Sequence, residues 1–121
     1  MIYELWLEWH KYRDPLLKAM EGCHGSHTED DVLTRLAMGE YKLWTWENSA
    51  LVTFFVVYPR FKAINMFLYG GDLVELAEKQ IEVERWAAKQ GVTRCVAGGR
   101  EGWGKMFPDY SKHAVMYYKD I

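Results

Sequence analysis

AINMFLYGGDLVELAEKQIEVERWAAKQGVTRCVA, running from Ala63 to Ala97, decides the fold. Ala63 to Tyr69 is apolar and aromatic and reads as a strand. Gly70-Gly71 breaks it. Asp72, with Glu75 three residues later, resembles a capping box and predicts a helix start. A long helix follows to about Gln90, closed by Gly91. Leu73, Val74, Ala77, Ile81 and Ala88 are its expected inward line. Val92 to Ala97 is then a short apolar strand, and so long an intervening helix implies a parallel crossover.

Upstream, Tyr41 to Trp46 is an aromatic-rich strand, Glu47-Asn48-Ser49 a turn, and Ala50 to Tyr58 a long apolar strand expected to be buried on both faces. Pro59 to Lys62 is the next turn. Short turns between these strands imply an antiparallel meander. Further back, Asp14-Pro15 signals a helix with an apolar face of Leu16, Leu17 and Met20, stopped at Gly22. Residues 2–13 fit either a helix face of Leu5, Trp6 and Trp9 or a first strand from Ile2 to Leu7. Thr28 is an N-cap, followed by Glu29, Asp30 and Asp31 in the positive first turn of a helix carrying Val32, Leu33 and Leu36 and ending at Gly39. Downstream of the quoted stretch, Val96 to Tyr110 is rich in glycine, and Ala114 to Tyr118 reads as a final strand. The expectation is an α+β protein with a mixed sheet.

The totals narrow the function. A length of 121 residues suits one domain, residues 1–121. Half of the residues are hydrophobic and 16% aromatic, with six tryptophans and eight tyrosines, which serve either a core of large rings or an interface. Net charge is −2, from 15 basic and 17 acidic residues without a long basic run, so a nucleic-acid partner is not expected. Two cysteines, Cys23 and Cys95, make no disulfide framework and suggest a reducing compartment; Cys95 reads as a small buried hydrophobe. The N-terminal residues lack a signal-peptide pattern, and the longest apolar run, Leu51 to Tyr58, is far short of the about 20 residues a spanning helix needs, so a soluble protein without a membrane partner is expected.

The element order resembles the GNAT fold of N-acetyltransferases: two N-terminal helices, an antiparallel meander in a mixed central sheet, and a long helix packed on that sheet. The run IEVERWAAKQGVTRCVAGGREGWGKMF, Ile81 to Phe107, is similar to small GNAT-like proteins of bacteriophages, through Trp86-Ala87, Gly91 and Gly99-Arg100-Glu101-Gly102-Trp103. The resemblance implies that the pyrophosphate of acetyl-CoA would rest at the start of the long helix. There the family carries an Arg/Gln-x-x-Gly-x-Gly/Ala loop, whereas this chain retains only Gly70 and Gly71 and adds the Asp72 carboxylate where phosphates would sit. The family often places a general-base glutamate on the meander, but Ala63 to Tyr69 contains none; Glu40 and Glu47 are the substitutes at hand. Tyr110 is the nearest candidate for the family's leaving-group acid, or else a corner tyrosine packed on the final strand.

Cys23, His24 and His27 share a loop and could begin a zinc site, but no second ligand cluster accompanies them, so no metal is expected. Glu84 falls between Ile81 and Ala88 on the expected inward line, where a carboxylate needs a partner. Arg100 is the expected partner, in a bridge that pins the glycine-rich corner to the helix. Trp103, Met106 and Phe107 would form one face of a short helix against the sheet, or Trp103 would be exposed as a docking surface.

Three functions follow. The first is a noncatalytic GNAT-like phage accessory or virion-associated protein acting through protein–protein contacts, with itself or with another phage or host protein, and without a cofactor. The second is an acyl-CoA-dependent N-acetyltransferase using acetyl-CoA. The third is a phage inhibitor of a host defence protein, marked by an exposed aromatic patch near Trp44, Trp46 or Trp103. The expected location is the host cytoplasm or the virion.

Overall fold

The computed structural model describes residues 2–98, 107–112 and 114–121. Its elements are α1 (Ile2–Lys11), α2 (Arg13–Met20), a 3-10 turn (Glu21–Cys23), α3 (Glu29–Ala37), β1 (Tyr41–Thr45), β2 (Ser49–Val57), β3 (Lys62–Gly71), α4 (Leu73–Lys89) and β4 (Arg94–Ala97). The strands form one mixed sheet in the order β1-β2-β3-β4. β1, β2 and β3 make the antiparallel meander, and β4 lies parallel to β3 across Ala63–Met66. The crossover expected from the quoted stretch is therefore present, and the fold is α+β.

The sheet separates two apolar clusters. On one face α4 packs over Leu51, Ile64, Met66 and Tyr69; on the other, Trp9, Leu16, Val32 and Leu36 of the three N-terminal helices cover Ala50, Val52 and Leu68. A β-bulge serves both. Val52 pairs with Leu68 and Thr53 with Met66, which leaves Phe67 as the extra residue. Phe67 and Leu68 then both face the N-terminal helices, while Met66 and Tyr69 on either side face α4.

The ambiguous residues 2–13 resolve as helix. Trp9 is fully buried, and its indole N–H donates to Glu29 Oε2 at 2.8 Å. Arg13 clasps the same carboxylate through Nε at 2.7 Å and Nη2 at 3.1 Å, so one glutamate of α3 holds both α1 and α2. Thr28 caps α3 as expected, in a reciprocal capping box with Asp31.

Several expectations are corrected. Asp14 caps nothing: the N-cap of α2 is Tyr12, without a side-chain cap bond. Tyr12 is held instead by its hydroxyl, which donates to the carbonyl of Trp46. β2 is buried only from Ser49 to Thr53; beyond that it alternates, and Val57 is 78% exposed where the sheet outruns its helices. Ala114 to Tyr118 forms no strand; it is irregular and exposed. The inward line of α4 is Leu76, Gln80, Val83 and Ala87, while Leu73, Val74 and Ile81 are 40%, 61% and 52% exposed. This is the expected stripe displaced by one residue, a rotation of about 100°. Hydropathy misplaces it because Gln80 is polar and yet belongs to the buried line.

The join between β3 and α4 closes on the β1–β2 turn. Gly71 has φ +102°, and a Cβ there would lie 2.3 Å from the Asn48 carbonyl oxygen. At Gly70 a Cβ would press on the backbone of Pro15 and Leu16 at 3.1 Å. These glycines let three chain segments meet.

Gly71→Ala is expected to lower stability by about 1–3 kcal/mol through strain, with the clash against Asn48 added to it, read as a drop in melting temperature with unchanged far-UV dichroism below the transition. The Arg13 guanidinium, then the Trp9 indole, hold the Glu29 carboxyl below its ordinary range. A depressed carboxylate contributes stability that is fully present above its unfolded value of about 4.3 and disappears as the pH falls through the folded value. Glu29→Gln is therefore expected to melt lower at neutral pH and to show a shallower fall below about pH 4.3 when melting is followed against pH.

Candidate functional site

The resemblance directs attention to the mouth of α4. The Asp72 carboxylate accepts from the backbone N–H groups of Val74 at 2.9 Å and Glu75 at 3.2 Å. The Asp72 N–H itself donates to the Asn48 carbonyl at 3.0 Å. The expected capping box is half formed. Glu75 does not turn back to Asp72; its carboxylate accepts from the Asn48 N–H at 3.0 Å and from the Ser49 hydroxyl, which is fully buried. A helix N-terminus that could attract an anion thus has its own carboxylates in place, one on its first N–H groups and one on the adjoining turn.

A second polar group lies under α4. Tyr69 of β3 donates its hydroxyl to Gln80 Oε1 at 3.1 Å. Gln80 Nε2 donates to the Tyr110 oxygen at 2.7 Å, and the Tyr110 hydroxyl donates to Glu84 Oε2 at 2.7 Å. The chain Tyr69–Gln80–Tyr110–Glu84 explains why a glutamine tolerates a buried position: each of its ends is used. Burial, then Glu84, pushes the Tyr110 hydroxyl far above its ordinary value; burial does the same to Tyr69. Cys95 on β4 is half-buried beside this group, its thiol pushed up by burial and by Glu84 and opposed by Tyr110. The proton that a leaving-group acid would deliver is here committed to Glu84. The geometry suits Tyr110 as the fastener of residues 107–110 to α4, with Phe107 buried beside Tyr69 at 5.7 Å between ring centroids.

Glu84 is half-buried and receives the Tyr110 hydroxyl; its expected pairing with Arg100 lies outside the described residues, as do Trp103 and most of the glycine-rich corner. In the sequence, Tyr110 after the Pro108-Asp109 turn is marked as a corner residue but not as the partner of Glu84. The packing of Tyr110 on a final strand is not found, because residues 114–118 are irregular. Glu47 sits exposed in the β1–β2 turn, and Glu40 is ion-paired with Arg35 before β1. Neither is in the Tyr110 hydrogen-bond chain.

Trp44 and Trp46 are half-buried. Trp44 donates to Thr53 Oγ1 at 3.0 Å and meets Trp86 of α4 edge-on at 5.2 Å; Trp46 donates to Glu82 at 2.9 Å. Lys42 covers this group, with Nζ 4.9 Å from the Trp44 ring and 5.2 Å from the Trp86 ring. Near Cys23, the His24 ring lies 5.2 Å from Tyr118 and His27 lies 5.0 Å from Phe67. Among the described residues no group of three or more His, Cys, Asp or Glu side chains is placed to hold a metal ion, and no helix is long and apolar enough to cross a membrane.

Comparison with protein-family models, with curated proteins and with solved structures found no match to this chain.

Tyr110→Phe removes the donor to Glu84 and the acceptor for Gln80. It is expected to lower stability by about 1–3 kcal/mol. A tyrosine whose folded value is raised contributes stability present below its unfolded value of about 10 and lost as the pH rises above it. The phenylalanine variant should therefore show a shallower loss of melting temperature above about pH 10, with one high-titrating tyrosine missing from the ultraviolet titration.

Proposed function

We propose that this chain is a noncatalytic GNAT-like protein that works through protein–protein contacts, as a phage accessory or virion-associated protein. The observation that carries the reading is the mouth of α4. The backbone N–H groups of Val74 and Glu75, which a diphosphate would use, donate to the Asp72 carboxylate, and the Gly71 backbone lies against the Asn48 carbonyl. An incoming diphosphate would have to displace one carboxylate and lie near the Glu75 carboxylate, against like-charge repulsion.

The helix–strand order supports the GNAT-like part: a meander, a long helix and a parallel fourth strand follow one another as the resemblance implies. Tyr110, the residue matched to the family's acid, is engaged with Gln80 and Glu84. The phage assignment rests on the similarity of Ile81 to Phe107 alone. Contacts with protein are supported by apolar side chains left in water, among them Tyr3, Trp6 and Leu7 of α1 and Leu73, Val74 and Ile81 of α4.

Thermal melting with and without millimolar acetyl-CoA tests the reading. A ligand that binds only the native state raises the melting temperature in proportion to the logarithm of its concentration. No shift is expected. A rise of several degrees that grows with acetyl-CoA, and is reproduced by coenzyme A alone, would replace this reading with an acyl-CoA-dependent N-acetyltransferase.

A further inference from the structure

We propose that Ala114–Tyr118 of one copy of this chain adds to the β1 edge of a second copy as an antiparallel fifth strand. The inference rests on the protein-contact reading above and names the contact.

Two features of the molecule are complementary. The segment Ala114-Val115-Met116-Tyr117-Tyr118 has the branched and aromatic composition of a strand, yet it is irregular here. Val115 is 58% exposed, Met116 and Tyr117 are each 91% exposed, and Tyr118 is 70% exposed. Its ring contact with His24 lies at the loop before α3, on the helix-covered side of the sheet. At the same time, among the described residues β1 is paired only with β2, so its outer row of N–H and C=O groups is left for another strand.

Charge and face select a register. Lys119 set opposite Glu40 brings Tyr118 opposite Tyr41, Tyr117 opposite Lys42, Met116 opposite Leu43 and Val115 opposite Trp44. Tyr118 then extends the row in which Tyr41 already stacks on Phe54 at 4.9 Å, on the face of the N-terminal helices. Tyr117 and Val115 fall on the α4 face beside Lys42 and Trp44, where Lys42 already covers aromatic rings. A slip of one residue would reverse every side chain, and a slip of two would separate Lys119 from Glu40. The other sheet edge, β4, spans only Arg94–Ala97 and offers no acidic residue for Lys119 within the strand.

Sedimentation velocity of the full chain over the micromolar range is the test. Reciprocal exchange of the two segments about a two-fold axis closes the pair, so the full chain is expected to sediment as a concentration-dependent dimer. Of two adjacent residues in a paired strand, one directs its N–H at the neighbouring strand. At least one of Met116→Pro and Tyr117→Pro should therefore yield a monomer, with the melting temperature of the dilute wild-type chain, since both side chains are in water. Glu40→Lys should weaken the dimer about two- to five-fold, and Lys119→Glu added to it should restore the affinity. A full chain that stays monomeric, a dimer that survives both proline variants, or a Glu40→Lys loss that Lys119→Glu does not restore would overturn the proposal. The acetyl-CoA melt separates the two readings: a monomer without an acetyl-CoA shift refutes strand addition and leaves protein contact standing, whereas an acetyl-CoA shift removes the protein-contact reading itself.

Discussion

The junction of α4 with the β1–β2 turn is the constraint on which the rest of the structure depends. Asp72 caps the helix with its side chain and reaches the Asn48 carbonyl with its N–H, while Glu75 returns from the helix to the Asn48 N–H and the buried Ser49 hydroxyl. Ser49 and Ala50 begin the most buried part of the sheet. The junction therefore sets where α4 starts over the sheet and which of its sides faces inward. Gly70 and Gly71 are needed because the Pro15–Leu16 backbone and the turn crowd the same point from two directions. Glycine pairs at a helix start invite a phosphate interpretation; here their smallness is used by the chain itself.

The same rotation of α4 creates the second polar feature. Once Leu76, Val83 and Ala87 face the sheet, Gln80 must face it too. A primary amide buried there carries a penalty unless both its ends are bonded. Tyr69 supplies the donor and Tyr110 the acceptor, and Glu84 one turn on receives the Tyr110 proton. The hydrogen-bond chain thereby ties β3, α4 and residues 107–110 together. The stability of that chain and the reluctance of Tyr110 to ionise have one origin, burial next to a carboxylate. A residue well suited to holding a corner in place is poorly suited to giving up its proton to a substrate.

The aromatic wealth of the chain divides between interior and surface. Trp9, Trp44, Trp46 and Trp86 are engaged by hydrogen bonds or ring contacts with neighbouring elements. Tyr3, Tyr117 and Tyr118 are left mainly in water, and Trp6 is close to half exposed. Rings of the first kind stabilise the two sheet faces; those of the second kind are surface that a partner would cover. Among the described residues, an open β1 edge and a strand-like segment without a strand to join belong to the same molecule, which gives the proposed self-association a specific geometry.

Local chemistry by itself determined the element order from α3 to β4. The Thr28 cap, the Asp72 helix start, the short turns at 47–49 and 59–62 and the length of α4 each act over a few residues, so the meander and the parallel crossover were legible in the sequence. Of the site, the paired need of Glu84 and the involvement of Tyr110 were legible, but their joining was not. Tertiary structure decided what depends on two segments meeting: the one-residue rotation of α4, the turn of Glu75 away from its own helix end, the Phe67 bulge, and the failure of Ala114–Tyr118 to find a strand within its own sheet. Periodicity records which residues share a stripe, but which of two adjacent stripes is buried is settled by what lies opposite, and a polar Gln80 turns inward only because two tyrosines from distant parts of the chain are waiting for it.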